Sequence, residues 1–462
     1  MTEIASGKLW RVRHEILPDC DSHSWRGIYC RLSFPPMAQA ALPGFRDFYP
    51  SELAERAHIM RAWRDVMRRY AFVEYDGPPL EPLDLYRAKS GDELVGQLYT
   101  FTDKGGREVA LRPEMTPTFA RMVAARANSL RKPVRWFSIP QLFRYERQQK
   151  GRLREHFQLN ADIVGEGSVA ADAELLALAI DVVRSLGLGV SDVVARVSDR
   201  RLLQAVLTAE GVSGDSFPDV YGVIDKLGRE PVDVSREKMT SAVGAALADR
   251  VLVIVNHSGL EDLAKTYAGV EAVAPHVDRL REYFSHLQAL GVSDWVKLDL
   301  SIVRGLAYYT GIVFELFDAR GEFRAICGGG RYDALLNTLG GVDLPALGFG
   351  MGDVVLGDLL RSRRLLPTTS AGADFWIAGD HECLTSSVMS VATRLRGHGR
   401  SVEYALKPQQ LARQLKTASS AGAASAVLLL RDQFSDGQVT IKNLRDGSEQ
   451  TLLLEDFIDS QR

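Results

Sequence analysis

The chain has 462 residues, too many for one hydrophobic core, and with 46% hydrophobic and 25% charged residues it reads as a globular multidomain protein. A formal charge of −3 excludes a global electrostatic pull on nucleic acid, so any RNA contact must rest on local basic patches. Four cysteines without a CxxC pair, and no histidine cluster at zinc spacing, predict free thiols in a reducing cytoplasm and no structural metal; no run of about 18 apolar residues offers a membrane span.

Residues 1–36 mix Arg11, Arg13, Arg26 and Arg31 with Glu3, Glu15, Asp19 and Asp21 and contain no apolar stretch of the kind a secretory leader needs. Residues 1–41 are expected to be an extension outside the fold, disordered or non-native, with Met37 after Pro35-Pro36 as a candidate start. From Ser51, Leu53, Ala57, Met60, Trp63, Met67 and Tyr70 recur at helical steps, with Glu52 and Glu55 in the first turn. The pattern predicts a helix to about Tyr70, then a strand over Phe72–Tyr75 that breaks at Gly77-Pro78-Pro79. Glu108–Arg112 reads as a short strand, and Pro113-Glu114-Met115-Thr116 leads into a helix with Thr116 as N-cap and Pro117 as its first residue.

The stretch from Phe143 to Gly165, FRYERQQKGRLREHFQLNADIVG, packs Arg144, Arg147, Lys150, Arg152 and Arg154 into eleven positions and then alternates apolar and polar residues toward Asp162. A cationic hairpin tip running into a strand with a buried acid suits a site that grips a polyphosphate and a small polar ligand together, since the arginine fork holds phosphate oxygens bidentately. A solvated charge run explains the basic part equally well. Residues 170–186 form an apolar helix closing at Gly187, residues 198–295 read as mostly helical, and strands resume over 296–300 and 308–317. The turn Asp318-Ala319-Arg320-Gly321 predicts a hairpin with residues 322–327. Gly328-Gly329-Gly330 reads as a turn or as backbone closely approached by a ligand, and Gly348-Phe349-Gly350-Met351-Gly352 resembles a dinucleotide loop only superficially, since its spacing is GxGxG. Past a linker at residues 367–372, alternating strands and helices to the C-terminus predict a separate α/β domain.

Two long stretches, LDLSIVRGLAYYTGIVFE over 298–315 and AICGGGRYDALL over 325–336, together with FRYER…R, resemble the histidyl-tRNA synthetases, a family of class II aminoacyl-tRNA synthetases. FRYER…R is similar to class II motif 2, the other two to that family's histidine-specific signatures, and the likeness runs from Leu42 to the C-terminus. Gly44-Phe45-Arg46-Asp47 resembles the element that opens the catalytic domain, and the helix, strand and Pro78 resemble motif 1, the dimer-forming element. The implied architecture is a multidomain α+β and α/β protein. A class II antiparallel-sheet catalytic domain spans 42–366, with a mostly helical insertion at 198–295, and an α/β anticodon-binding domain spans 373–462.

The resemblance implies ATP and Mg²⁺, with L-histidine, tRNA(His) and a second copy of the chain as partners, and it implies roles for named residues. Arg144 and Arg304 would hold the α-phosphate from two sides as the catalytic cations, and Arg152 would reach the γ-phosphate, with Arg331 as a further ATP contact. Glu114 and Thr116 would take the α-amino group of histidine, Gln158 and Asp162 further contacts with Asp162 at the imidazole, and Tyr308 and Tyr309 the pocket walls. Arg147 and Gln149 would meet the tRNA acceptor stem.

Three departures from the family's pattern stand in the sequence. Ala307 replaces an aspartate, Asp162 replaces a glutamate one methylene longer, and Val354-Val355 replace the Glu-Arg pair of motif 3 that touches the ATP tail. The readings RGLAYY and GFGMGD resemble a branch of the family found in plant organelles and some bacteria, which implies that the two valines are a variant of that lineage. The alternative is a non-catalytic relative that regulates the first enzyme of histidine biosynthesis; Val355 favours it, whereas Glu114, Arg144, Gln158, Arg304 and the C-terminal domain favour the enzyme. Lys407, Arg413 and Lys416 are candidate RNA contacts or a solvated helix face.

Overall fold

A computed structural model describes residues 41–87, 96–146, 149, 151–228, 230–257, 259–303, 309–367 and 372–462. The expectations for residues 1–40, including the start at Met37, lie outside these, as do Arg147, Arg304, Ala307 and Tyr308. Among the described residues no helix is long and apolar enough to cross a membrane.

A nine-stranded sheet organises residues 73–352. Its strands lie in the order Val73–Glu74, Val134–Ser138, Glu155–Val164, Ala346–Gly352, Cys327–Arg331, Ile312–Asp318, Val193–Asp199 and Val296–Leu298, with Gln141–Phe143 pairing beside Glu155–Val164. Pairing is parallel only for the outermost pair at each edge and antiparallel within. Because side chains alternate along a strand, the register assigns two faces with opposite character. Leu159, Ala161, Ile163, Leu347, Phe349, Met351, Phe314, Leu316, Ala195 and Val197 all belong to one large apolar cluster.

Against that face lies the helix Val169–Ser185, which also packs on Pro50–Arg69 and Ala274–Ala289. It is apolar nearly all round because it is covered on all sides, and its alanines let neighbours approach closely. Its one charge turned to the sheet is Asp172, buried in a bidentate pair with Arg331 at 2.7 Å. The other Arg331 donors reach the carbonyls of Glu166 and Ser168, at 3.1 and 3.2 Å, and Asp333 at 3.3 Å. The helices from Arg200–Ala209 through Ala274–Ala289 share the same apolar cluster as the sheet, while Ser198 and Asp199 still belong to a strand.

Two readings differ from the structure for a common reason. Gly328–Gly330 is not a turn but, like Gly348–Gly352, lies in the middle of the sheet, where neighbouring strands supply the contacts that glycine lacks. Thr116 is the first residue of its helix rather than the cap, which is Met115, so Pro117 follows one position later in the first turn.

The C-terminal sheet runs Val402–Tyr404, Phe375–Gly379, Ser425–Leu429, Gln438–Asn443, Glu449–Leu453, parallel among the first three and antiparallel after. Alternation splits it cleanly: Ile377, Val427 and Leu429 pack with the helix Thr385–Gly397, whereas Trp376, Ala378, Ala426 and Leu428 pack with Leu411–Ser420.

Replacing Arg331 by Met should strand the Asp172 carboxylate in the core at a cost of about 3–5 kcal/mol, whereas Arg331→Met combined with Asp172→Leu should recover most of it. Urea midpoints of the two variants decide the matter; a single change no worse than a surface Arg→Met would mean the pair is not structural.

Candidate active site

The opposite face of the sheet is polar and largely bare. Gly348 pairs with Asp162, Gly350 with Asn160 and Gly352 with Gln158, so the three glycines share a face with those three polar side chains. Gly350 and Gly348 pair in turn with Gly328 and Gly330, and Gly328 with Glu315, which continues the bare strip across two more strands. Glycine is required here by space. A Cβ on Gly348 would lie 2.1 Å from Asp162 Oδ1, and one on Gly350 would lie 2.4 Å from Gln158 Nε2. The side chains of Gln158 and Asp162 therefore lie flat over their neighbour strand.

Along Glu155–Val164 the surroundings change from dry to open. Val164 sits in a second apolar cluster with Phe119, Val123, Tyr309, Tyr332 and Leu336 that closes this end of the polar face. Asp162 borders it, buried, and its Oδ1 accepts a short hydrogen bond from the Tyr332 hydroxyl, while Tyr309 packs edge-on to Tyr332 at 6.4 Å. Further along the strand, Gln158 Nε2 donates to Asn160 at 2.8 Å. At the open end a cleft of about 290 Å³ is lined by Arg144, Arg152, His156, Gln158, Glu315 and Val355, among others. The His156 Nε2 lies 3.4 Å from Gln158 Oε1, and burial, reinforced by the nearby Arg144 charge, pushes the ring's pKa down to about 4.

The basic hairpin forms one wall. Its backbone closes at Gln149 and Arg152, with Gly151 at φ +75° making the turn. Arg144 is fixed by donating from Nε to the Pro113 carbonyl at 2.9 Å, next to buried Glu114. The Glu146 carboxylate lies between two cations, 2.8 Å from Arg152 and 3.9 Å from Arg144. Arg154 is used structurally, its guanidinium over the Tyr145 ring at 4.1 Å and its stem over Gly44, where a Cβ would lie 2.7 Å away. Arg46 bridges Glu155 at 2.6 Å and Asp353 at 2.9 Å, and Asp353 accepts the Phe157 N–H, so this residue ties the hairpin's outgoing strand to the helix Asp353–Ser362. Arg112 ties Glu114's segment to the rest through Asp76 and the Gly77 carbonyl, both at 2.8 Å.

The structure thus gathers Arg144, Arg152 and Gln158 around one cleft and places Asp162 and Tyr309 at its buried end; Glu114 and Thr116 are buried where a strand passes into a helix. Gln149 stands at the hairpin tip, in a short hydrogen bond from Arg324. Arg331, expected at ATP, is turned the other way: Gly330 faces the bare strip, so its neighbour faces the core and Asp172. Residue-by-residue reading missed Arg46, Glu146, His156, Arg324 and Tyr332. Strand alternation applied to CGGGRYD would have found Tyr332 and excluded Arg331.

A family model described as histidyl-tRNA synthetase matches residues 44–352, and one described as anticodon binding domain matches 376–460. The chain is 44% identical over 413 residues to a histidine–tRNA ligase of Opitutus terrae, covering 88% of this chain and 94% of that one. It is 40% identical over 416 residues to a chloroplastic/mitochondrial histidine–tRNA ligase of Arabidopsis thaliana, covering 90% and 85%. Among solved structures, histidyl-tRNA synthetase from Nostoc sp. aligns with TM-score 0.78 at 23% identity over 91% of this chain and 98% of that one. An ATP phosphoribosyltransferase regulatory subunit/histidyl-tRNA synthetase from Bacillus halodurans aligns at 0.71 and 23% over 86% and 100%. At these identities the structural likeness speaks to fold alone, that of a class II catalytic domain followed by an α/β domain.

His156 should titrate near pH 4 by NMR of its ring protons, not near the ordinary 6.5. The unfolded chain then binds the proton more readily, so the stability this residue contributes is full above about pH 6.5 and is lost as pH falls toward 4. A midpoint at 6.5 in the folded protein would show the ring to be solvated.

Proposed function

The chain belongs to the histidyl-tRNA synthetase family, and on that premise we propose that its cleft joins L-histidine to ATP and passes the histidyl group to tRNA(His). The observation that carries this reading is the bare strip running from buried Asp162 toward the arginines of the basic hairpin, where a cleft of about 290 Å³ opens. A carboxylate oxygen of histidine attacks the α-phosphorus, the bond from that phosphorus to the bridging oxygen breaks, and pyrophosphate leaves. A terminal ribose hydroxyl of the tRNA then attacks the carbonyl carbon of the adenylate, and AMP leaves.

Negative charge grows on the α-phosphate oxygens in the first step, and cations already in place stabilise it without reorganisation. Arg144, fixed by the Pro113 carbonyl, supplies positive charge from one side, and Arg304 supplies it from the other. Arg152 exchanges Glu146 for the γ-phosphate. Glu114 and Thr116 take the α-amino group, Gln158 and Asp162 the polar edge of the ligand, with Asp162 at the imidazole N–H and Tyr332 orienting its carboxylate. Tyr308 and Tyr309 wall the pocket, and Arg147 and Gln149 face the acceptor stem. Mg²⁺ arriving with ATP would be held by carboxylates of the cleft and would supply neutralisation of the phosphate charge. Glu146 and Glu315 are the carboxylates lining the cleft, and no cage of three or more metal-ligating side chains exists among the described residues.

Two copies pair through the helix Pro50–Arg69 and the edge strand Val73–Glu74, where Val73 is 61% exposed. The reaction belongs to a reducing cytoplasm, in keeping with a sequence of four cysteines that contains no CxxC pair. The regulatory alternative draws only on fold, since its support is a structure at 23% identity, whereas the ligase reading draws on relatives at 40–44% and a matched anticodon-binding domain.

Histidine-dependent exchange of pyrophosphate into ATP, measured without tRNA, tests the reading. The wild type should exchange, and Arg144→Ala should lose about 10²–10³-fold in kcat. Gly348→Ala, by displacing Asp162, should raise KM for histidine about tenfold or more while leaving KM for ATP nearly unchanged. Histidine binding without any exchange would move the function to the regulatory relative.

A further inference from the structure

Val355 stands where the family's motif 3 carries an arginine, and the structure shows what surrounds that position. Val355 lies at the seam between the cleft described above and a second cavity of about 480 Å³, lined by Gln149, Gly151, Glu322, Phe323 and Arg324. The first cavity is lined by Arg144 and Arg152; the second shares Gly151 and Val355 with it, so the two adjoin at the position where the resemblance puts an ATP-tail contact.

The arginines that could serve there differ in what already occupies them. Arg331 is spent on Asp172 on the far face, and Arg154 on Tyr145 and the Glu146 carbonyl. Among the described residues Arg324 lies within 4 Å of no carboxylate, and its half-open guanidinium donates to the neutral amide oxygen of Gln149. The acid beside it is engaged elsewhere, since Glu322 sits 3.5 Å from Arg363. An accessible guanidinium on a neutral acceptor exchanges it readily for phosphate oxygens, because an anionic phosphate adds charge–charge attraction and bidentate geometry that an amide oxygen lacks.

We propose that Arg324 binds the pyrophosphate portion of ATP, supplying from the turn after Ile312–Asp318 the cation that position 355 lacks. The inference rests on the nucleotide reading of the cleft. Its hydrogen bond to Gln149 holds the guanidinium at the hairpin tip beside Arg152, so the two close on the phosphate tail from opposite strands.

Calorimetric titration of the purified full chain with MgATP, magnesium pyrophosphate and AMP tests it. Arg324→Ala should weaken MgATP and pyrophosphate by about tenfold, as loss of one charge-assisted contact does, and leave AMP unchanged; Arg324→Lys should fall between. Adding Val355→Arg to Arg324→Ala should restore the tail affinity. Equal weakening of all three ligands, or none, would overturn the proposal. Wild-type chain that binds MgATP through Arg324 yet shows no histidine-dependent exchange would sink the synthetase reading and leave this inference standing.

Discussion

Everything at the site depends on the register between Glu155–Val164 and Ala346–Gly352. Pairing Asp162 with Gly348 and Gln158 with Gly352 sets every glycine of one strand under a polar side chain of the other. The same register sets Leu159, Ala161 and Ile163 beside Leu347, Phe349 and Met351 on the core face. A slip of one residue would bury the polar set and leave the apolar set in water, so core packing enforces the geometry of the site. Arg46 adds a second lock by joining Glu155 to Asp353, the residues at which one strand begins and the other gives way to its helix.

That dependence explains which features were legible in the sequence. The basic hairpin, the helix Val169–Ser185 and the alternating C-terminal domain show in local pattern, because their spacing and composition are set by their own periodicity. The glycine strands do not. Glycine has a poor intrinsic tendency to form strands, and the contacts that hold these in the sheet come from residues about 20 and 190 positions away. Thr116 differs by a single position for a related reason: capping chemistry suits it, but Met115 already has the cap's place and Thr116 is buried in the first turn.

Arginine type alone is equally uninformative; the partner decides the role. Arg46, Arg112, Arg154 and Arg331 are each engaged by acids, carbonyls or a ring within the fold, and each joins segments distant in sequence. Arg144 and Arg152 share one carboxylate, Glu146, that a more highly charged phosphate can displace. In a site waiting for a polyanion, an acid bracketed by two arginines limits their mutual repulsion and keeps the hairpin in place.

The same logic bears on the loss of the motif 3 arginine. A valine at 355 does not simply delete a charge, because its side chain packs at Gly151, where a Cβ would lie 3.3 Å from it, and so supports the tip of the basic hairpin. An arginine at 355 would trade that apolar support for a cation already near two others. With the cation carried instead by Arg324, the helix Asp353–Ser362 keeps a dry contact with the hairpin while the charge is delivered from a turn that Asp318 and Arg363 brace. Support at the hairpin tip and charge for the phosphate tail then come from two different residues.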